Sequence, residues 1–594
     1  MWFGELMLPE DEERAPGRAV EYLRRLWPFF APYLNRIIGA GLLLLVSSGL
    51  MLLGPVLLKR AIDVNIARGD VPGLALTSLI YLTIQVLTFF ATYFQLVWLA
   101  QVGERGAADL KRRLFEHILK LPMSFFDQNP SGKLLSRVES DTEALKMLFA
   151  RTSVVLVQSG LMLVGMSVVM VITSWQLYLL VAVLLPPFVV AFYYFQKKVR
   201  PVYLRVRRTV ADINNLVVEA LRGLPVIQAF CQQAGFSRRM DEFNRQKYRA
   251  ELKASYLWYA VWLLMDFGEI VGIALVLSVG GLWALKGTLT IGTLVLFVSY
   301  ISRLFYPLRS ISDQINIMQR AFASAERTLN ILDQEPEPTG RVRSGIELKH
   351  KIEFARVGFG YNPQEPVLKD INLIISPGEK VALVGETGGG KTSIVNLLLK
   401  FYQPQSGRIT IDGLDLQEID NQVLRRMVGF VPQEVVVFPG TVLDNLRLFD
   451  PAISPAQVRA AAQRVKINRA IERFENGYDT VLTEGGANFS LGERQLLAFA
   501  RALVRDPQLL ILDEATSAVD PQTEGLIQEG LKELLQGRTA IIIAHRLATI
   551  QMVDRVVVVH RGRIAETGTH AELLMRNGIY ARLYRLQFVD GGAE

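Results

Sequence analysis

The sequence predicts a multidomain chain in two halves. One is an all-α half of six membrane-spanning helices with long cytoplasmic helical extensions, and it is fused to an α/β half built around a P-loop. Three observations predict this. Before about Leu332 the sequence holds several apolar runs of roughly 20 residues, the length that a bilayer core about 30 Å thick demands of a helix. After that point apolar and polar residues mix as they do in a soluble α/β domain. The short apolar strand Lys380–Val384 then leads into a glycine-rich turn and an apolar helical pattern over 393–401. The chain's 594 residues suffice for more than one domain. The expected division assigns 1–335 to a transmembrane domain and 345–594 to a nucleotide domain. Between them 333–340, with Pro336 and Pro338, breaks the helical pattern.

Composition removes some functions. The net charge is +8, yet the basic residues cluster beside the apolar runs, where a membrane protein places them, so nucleic acid is not an expected partner. The one cysteine, Cys231, excludes a disulfide within the chain and a multi-cysteine metal site; it reads as a helix-packing thiol. The N-terminus carries Glu5, Glu10, Asp11, Glu12 and Glu13 and does not read as a signal peptide. The stretch 18–30 follows, with Leu23, Leu26, Trp27 and Phe30 on one face of a helix and Arg24 and Arg25 beside them. Such a helix tends to lie in the membrane interface.

The spans are expected at about 36–58, 76–98, 153–173, 176–197, 262–285 and 291–311, the third and fourth parted only by Ser174, Trp175 and Gln176. Segments 101–152 and 198–255 are rich in Arg and Lys, whereas loops 59–75 and 286–290 hold only Lys59, Arg60, Arg68 and Lys286. That bias places both termini, and with them the α/β half, in the cytoplasm of a multi-pass protein of the cytoplasmic (inner) membrane, in contact with membrane lipids. Leu110, Leu114, Ile118 and Leu121 recur at helical spacing in the first long segment, as do Leu204, Val210, Ile213 and Val217 in the second. Helices running about 25 residues past the membrane reach roughly 35 Å, so these segments read as levers toward the α/β half. Asp266 and Glu269, at i and i+3 of the fifth span, share a helix face. Charge inside a membrane is costly unless it meets protein or water. Two readings of these acids stand: Glu269 pairs with Arg303 of the sixth span, or Asp266 faces a substrate cavity that favours lipophilic cations.

In the α/β half, Gly385-Glu386-Thr387-Gly388-Gly389-Gly390-Lys391-Thr392 has the P-loop spacing GxxxxGK[ST], between a strand and a helix opening with Ser393. Glycines let consecutive backbone N–H groups wrap phosphates, and the helix N-terminus adds partial positive charge. Lys391 suits the β- and γ-phosphates of ATP, and the Thr392 hydroxyl suits Mg²⁺. A second apolar strand ends in Asp513 and Glu514; the first suits the Mg²⁺ shell and the second suits polarising an attacking water. A third ends at His545, a candidate sensor of the γ-phosphate.

With these in order, the sequence resembles an ATP-binding cassette (ABC) exporter, a half-transporter of the bacterial multidrug or lipid type. The resemblance runs from about Val20 to Phe588. Tyr361, in Phe359-Gly360-Tyr361, matches the family's adenine-stacking aromatic, and Gln433, in Val431-Pro432-Gln433-Glu434, matches the glutamine that contacts Mg²⁺ and the membrane-domain levers. Ser490-Leu491-Gly492-Glu493 sits where the family signature sits, Ser517-Ala518-Val519-Asp520 matches the D-loop, and His545 matches the switch histidine. Phe125-Phe126-Asp127 with Gly132 matches the first coupling loop, and Glu219 through Phe230 matches the second.

The usual signature is Ser-Gly-Gly-Gln, so Leu491 and Glu493 depart from it, and Thr483-Glu484-Gly485-Gly486 departs from the usual preceding loop. A carboxylate beside a phosphate is mildly unfavourable. The resemblance implies a second half-transporter as partner, and because members with a weakened signature often work as heterodimers, a paralogue is favoured over a second copy. It implies that two nucleotide domains sandwich two ATPs, each between the P-loop of one chain and the signature of the other. The implied activity is ATP hydrolysis driving export of a lipophilic substrate, drug or lipid, by alternating access. The alternative on the same architecture is an ATP-gated channel or a regulatory membrane ATPase; an importer is disfavoured by the fused domain order and the long levers.

Overall fold

The computed structural model describes residues 19–513, 521–544 and 546–586. The described residues fall into two compact units, one within Met1–Leu119 and Ser131–Gln334 and the other within Lys120–Pro130 and Glu335–Glu594.

The first unit is helical throughout. Its long helices are Leu34–Arg60, Val71–Ile118, Ser153–Thr173, Trp175–Arg222, Gln233–Leu275 (extended by turns to Leu285) and Ile291–Leu332. Four helical stretches are long and apolar enough to cross a membrane, and they hold the first, second, third and fifth of the expected spans. The fourth and sixth are represented by shorter apolar stretches, Trp175–Phe188 and Ile291–Pro307, of helices that continue well beyond them. The break between the third and fourth helices narrows to Ser174, whose hydroxyl accepts the Leu177 N–H and caps the helix it opens. The first and second helices pack along one another, the fourth and fifth do the same, and the sixth lies against the first and third. Met166, Met170, Leu177, Val181, Met265, Phe297 and Tyr300 are buried together where these helices meet.

Several expectations change at this level. In the first lever Leu110, Leu114 and Ile118 are buried as expected. In the second, Leu204 is exposed, Val210, Ile213 and Val217 are half-buried, and Thr209 and Leu216 beside them are buried, where the fourth and fifth helices pair mainly with each other. The N-terminal helix Ala19–Phe30 does not present its whole apolar face outward: Leu26 is buried with Leu110, Leu145 and Leu329, and Phe30 is buried and stacks on Phe149, while Trp27 stays exposed. Cys231 is not a packing thiol; it is exposed, with a left-handed backbone, just after the short helix Leu224–Ala229. No ion pair joins Glu269 to Arg303 among the described residues. Glu269 is half-buried, and both Arg303 and Asp266 are exposed. The buried charge of this unit lies elsewhere: Asp141 accepts from Arg137 (3.1 Å), from Ser324 (2.9 Å) and from two nitrogens of Arg327.

The second unit is an α/β domain. Its six-stranded sheet runs, in spatial order, Arg563–Gly568, Arg555–His560, Lys380–Val384, Thr539–Ile543, Leu509–Asp513, Val428–Val431. All pairings are parallel except that of the Arg563–Gly568 edge strand. Central parallel strands are covered on both faces and read as unbroken apolar runs. Accordingly Val381 and Leu383 enter one core and Ala382 and Val384 the other. A four-stranded antiparallel sheet that includes Ile352–Phe359 and Leu368–Ile375 closes the first of these cores. Helices that include Leu491–Leu503 and Pro521–Leu535 close the other. Segment Lys120–Pro130 belongs to this unit although it lies between helices of the other in sequence. Its Lys120 carbonyl accepts the Glu337 N–H at 2.7 Å, and its short helix Met123–Gln128 carries Asp127, which accepts from the Tyr402 hydroxyl at 2.6 Å.

Candidate functional site

The P-loop leaves the Lys380–Val384 strand at the carboxyl edge of the parallel sheet, where α/β folds place their ligands. Two glycines are required by shape. A Cβ on Gly385 would sit 2.1 Å from the Val559 carbonyl oxygen. Gly390 is the N-cap of the Lys391–Leu398 helix at φ 102°, a conformation that side chains disfavour. Gly390 offers no side chain to cap the helix, so the first backbone N–H groups stay available to an anion. Glu386, Thr387, Gly388 and Gly389 complete the loop. Lys391 is buried, with its ammonium donating to the Gly385 carbonyl at 2.7 Å and the Glu386 carbonyl at 2.9 Å. Burial lowers its pKa from the ordinary lysine value, and the nearby charge of Asp513 opposes that shift. Lys391 and Asp513, far apart in sequence, therefore share one electrostatic environment.

Thr392 is exposed in the first turn of the helix, Asp513 ends its strand half-buried, and Gln433 is exposed at the bend after Val428–Val431. A hydroxyl, a carboxylate and an amide oxygen are each hard oxygen donors of the kind that Mg²⁺ takes. Glu514, Ser517, Ala518, Val519, Asp520 and His545 lie outside the described residues.

Tyr361 is half exposed and firmly held. Its hydroxyl lies 3.2 Å from the Ser393 hydroxyl and accepts from Asn396 Nδ2 at 3.2 Å, both on the P-loop helix. Its ring meets Phe359 and Tyr402 edge-on, with centroids 4.9 and 5.0 Å away. Tyr402 in turn donates to Asp127, and burial followed by that bond drives its pKa well above the ordinary tyrosine value. Asn396 and Tyr402 escaped the sequence reading. The aromatic pair Phe401-Tyr402 just past the P-loop helix is the only sequence hint of the second, and Asn396 carries none.

The signature opens the Leu491–Leu503 helix. Ser490 is its N-cap, with the hydroxyl accepting the Glu493 N–H at 3.3 Å, and Glu493 Oε2 accepts the Ser490 N–H at 2.9 Å, a reciprocal capping box. The other carboxylate oxygen of Glu493 pairs with Arg473. Leu491 is exposed and Gly492 buried. The preceding loop is tied down too, because Asn488 Oδ1 accepts the Thr483 N–H at 3.0 Å and Arg494 donates to the Gly485 carbonyl at 2.9 Å. The Glu493 carboxylate is thus turned onto its own helix end and an arginine, and the sequence reading missed Arg473 entirely.

Known families and proteins match across both units. Residues 37–308 match the ABC transporter transmembrane region, and residues 368–517 match the ABC transporter domain. The chain is 35% identical over 574 residues to the uncharacterized ABC transporter ATP-binding protein YfiC of Bacillus subtilis, covering 95% of this chain and 94% of that one. It is 34% identical over 577 residues to the ATP-dependent lipid A-core flippase of Syntrophus aciditrophicus, covering 97% and 96%. It is 36% identical over 479 residues to the fatty acid ABC transporter ATP-binding/permease protein of Mycobacterium tuberculosis, covering 80% and 75%.

Proposed function

This chain belongs to the ABC transporters, as an exporter that couples ATP hydrolysis to transport, and from that premise we propose that it is one half of a dimer moving a lipophilic substrate, drug or lipid, out across the cytoplasmic membrane by alternating access. The observation that carries the coupling is the chain of contacts Asp127, Tyr402, Tyr361, Ser393. It runs from a segment inserted between membrane helices, through the proposed adenine platform, to the P-loop helix.

In this reading adenine lies on Tyr361, the backbone of 385–390 and Lys391 hold the phosphates, and Lys391 exchanges its two carbonyl partners for phosphate oxygens. Mg²⁺, held by Thr392, Asp513 and Gln433, would neutralise phosphate charge. Glu514 orients the attacking water, and His545 steadies the γ-phosphate. The D-loop residues Ser517, Ala518, Val519 and Asp520 lie at the junction of the two nucleotide domains. The signature, Ser490 to Glu493, acts on the ATP held by the other subunit. Its capping bond occupies a lone pair of the Ser490 oxygen and leaves the hydroxyl proton to donate to a phosphate. ATP drives the cycle only because it binds the closed dimer better than the open one. The second subunit is a paralogue, as the departures at Leu491 and Glu493 suggest, and the charge bias of the loops places the N-terminus and the nucleotide domain in the cytoplasm.

The names of the lipid A-core flippase and the fatty acid transporter favour an amphiphilic lipid as cargo. In this reading exposed Asp266, with Glu269 one turn along the same helix, faces a substrate cavity and offers a place for a cationic group. The function is tested in proteoliposomes carrying the complex of this chain with its native partner: ATP should drive accumulation of a lipid or drug against its gradient, and Glu514→Gln should abolish it. Flux that only dissipates a gradient would make the protein a gated channel. Asp266→Asn should depress transport of a lipophilic cation and spare a neutral substrate; equal loss of both, with lower thermal stability, would make the two acids architectural.

A further inference from the structure

The signature helix carries a glutamate at its third position, where an amide would close the same capping box without charge. That carboxylate adds a negative charge at a helix end which, on the reading proposed above, meets the phosphates of the partner's ATP. Both of its oxygens are committed: one to the Ser490 N–H, the other to Arg473. The backbone next to Arg473 is anchored independently of this pair. The next residue, Phe474, packs edge-on against Phe489 with centroids 5.2 Å apart and rings 83° from parallel. Phe489 is buried and immediately precedes Ser490. The Arg473 side chain is 63% exposed while that of Glu493 is 17% exposed. The arginine therefore supplies little to the core, and its charge sits on the carboxylate that caps the signature helix.

We infer that Arg473 is a positioning residue of the signature, whose charge offsets Glu493 so that a helix end bearing an extra carboxylate still accepts a polyphosphate. A solvated ion pair contributes little to stability. Its contribution appears when an ATP arrives, because losing the guanidinium leaves Glu493 unbalanced beside a polyanion in a closing interface where water is scarce. The inference rests on the signature's facing a nucleotide, so the experiment tests that separately.

The full-length transporter, purified with its partner subunit, is titrated with radiolabelled Mg-ATP and retained nucleotide is measured for Arg473→Ala, Glu493→Gln, the double variant and Ser490→Arg. Arg473→Ala should raise the half-saturating ATP concentration about fivefold without lowering thermal stability in the absence of nucleotide. Glu493→Gln should lower it by roughly twofold, since the guanidinium then stands uncompensated. The double variant should cancel the Arg473→Ala defect, and Ser490→Arg should weaken retention more than any of these. A double variant as defective as Arg473→Ala, or an Arg473→Ala variant indistinguishable from the parent while Ser490→Arg is impaired, would overturn the role of Arg473 alone. Unchanged retention in Ser490→Arg would overturn the signature reading on which it stands.

Discussion

The P-loop and the signature are both helix N-termini opened by small residues, yet they are finished in opposite ways. The Lys391–Leu398 helix has a glycine at its cap, no side-chain acceptor for its first N–H groups, and a buried lysine folded back onto two carbonyls. The Leu491–Leu503 helix is closed by its own Ser490 and Glu493, with Arg473 balancing the added charge. The first end is unsatisfied until an anion arrives. The second is satisfied already, and offers a phosphate only a hydroxyl proton and the close approach permitted by Gly492. The contrast means that the P-loop should dominate the affinity for ATP, and that the signature should act as a sensor of a nucleotide bound elsewhere.

The largest expected effects fall on the P-loop side. Glu514→Gln should reduce steady-state turnover at this chain's P-loop by on the order of a hundredfold or more while ATP binding persists. Lys391→Ala should instead weaken binding, because the N–H groups at the helix end remain but the charge that meets the phosphates is gone. Equilibrium binding of labelled ATP beside a hydrolysis assay separates the two. Full turnover in Glu514→Gln would remove that residue as the water-orienting group, and normal binding in Lys391→Ala would break the contrast itself.

The contrast also shows what a sequence can reveal. The P-loop, the acidic strand end at Asp513, the helical levers and the α/β layering were legible because each follows from local spacing: Gly385 and Gly390 have no substitute at their backbone geometry, and 381–384 is apolar throughout because both faces of the strand are covered. The expectation for Tyr361 rests on family resemblance alone. Its anchor Asn396 and its neighbour Tyr402 depend on tertiary contacts across 35 and 41 residues, and the Asp127 partner of Tyr402 lies 275 residues away. Nor does sequence say where a carboxylate points. Glu493 reads as a charge aimed at phosphate until the capping box and Arg473 turn it aside.

A smaller effect, still on the P-loop side, is expected at Tyr361. Base–aromatic stacking contributes about 1–3 kcal/mol, so Tyr361→Ala should raise the ATP requirement roughly 5- to 150-fold with less change in maximal rate. Tyr361→Trp should be tolerated, since the indole keeps a stacking face. Tyr361→Phe keeps the ring but loses the contacts to Ser393 and Asn396, and should fall between the parent and the alanine variant. An unchanged ATP requirement in Tyr361→Ala would move the adenine site elsewhere.

The smallest expected effect on turnover belongs to the signature of this chain. If the partner is a paralogue, the complete P-loop here, with Glu514, works against the partner's signature, while Ser490 faces the partner's own ATP. Ser490→Arg places a long cation where the capping hydroxyl stood, so it should hinder closure over the partner's nucleotide and leave the chemistry at Glu514 comparatively intact. The matching substitution in the partner strikes the signature that serves Glu514, and should depress ATP turnover further. Measuring turnover of both single variants in the purified complex decides the order. Equal losses would mean two equivalent sites. If this chain, expressed alone, assembled into a stable complex that hydrolyses ATP, the signature at Ser490 would be serving the P-loop of a second copy of itself.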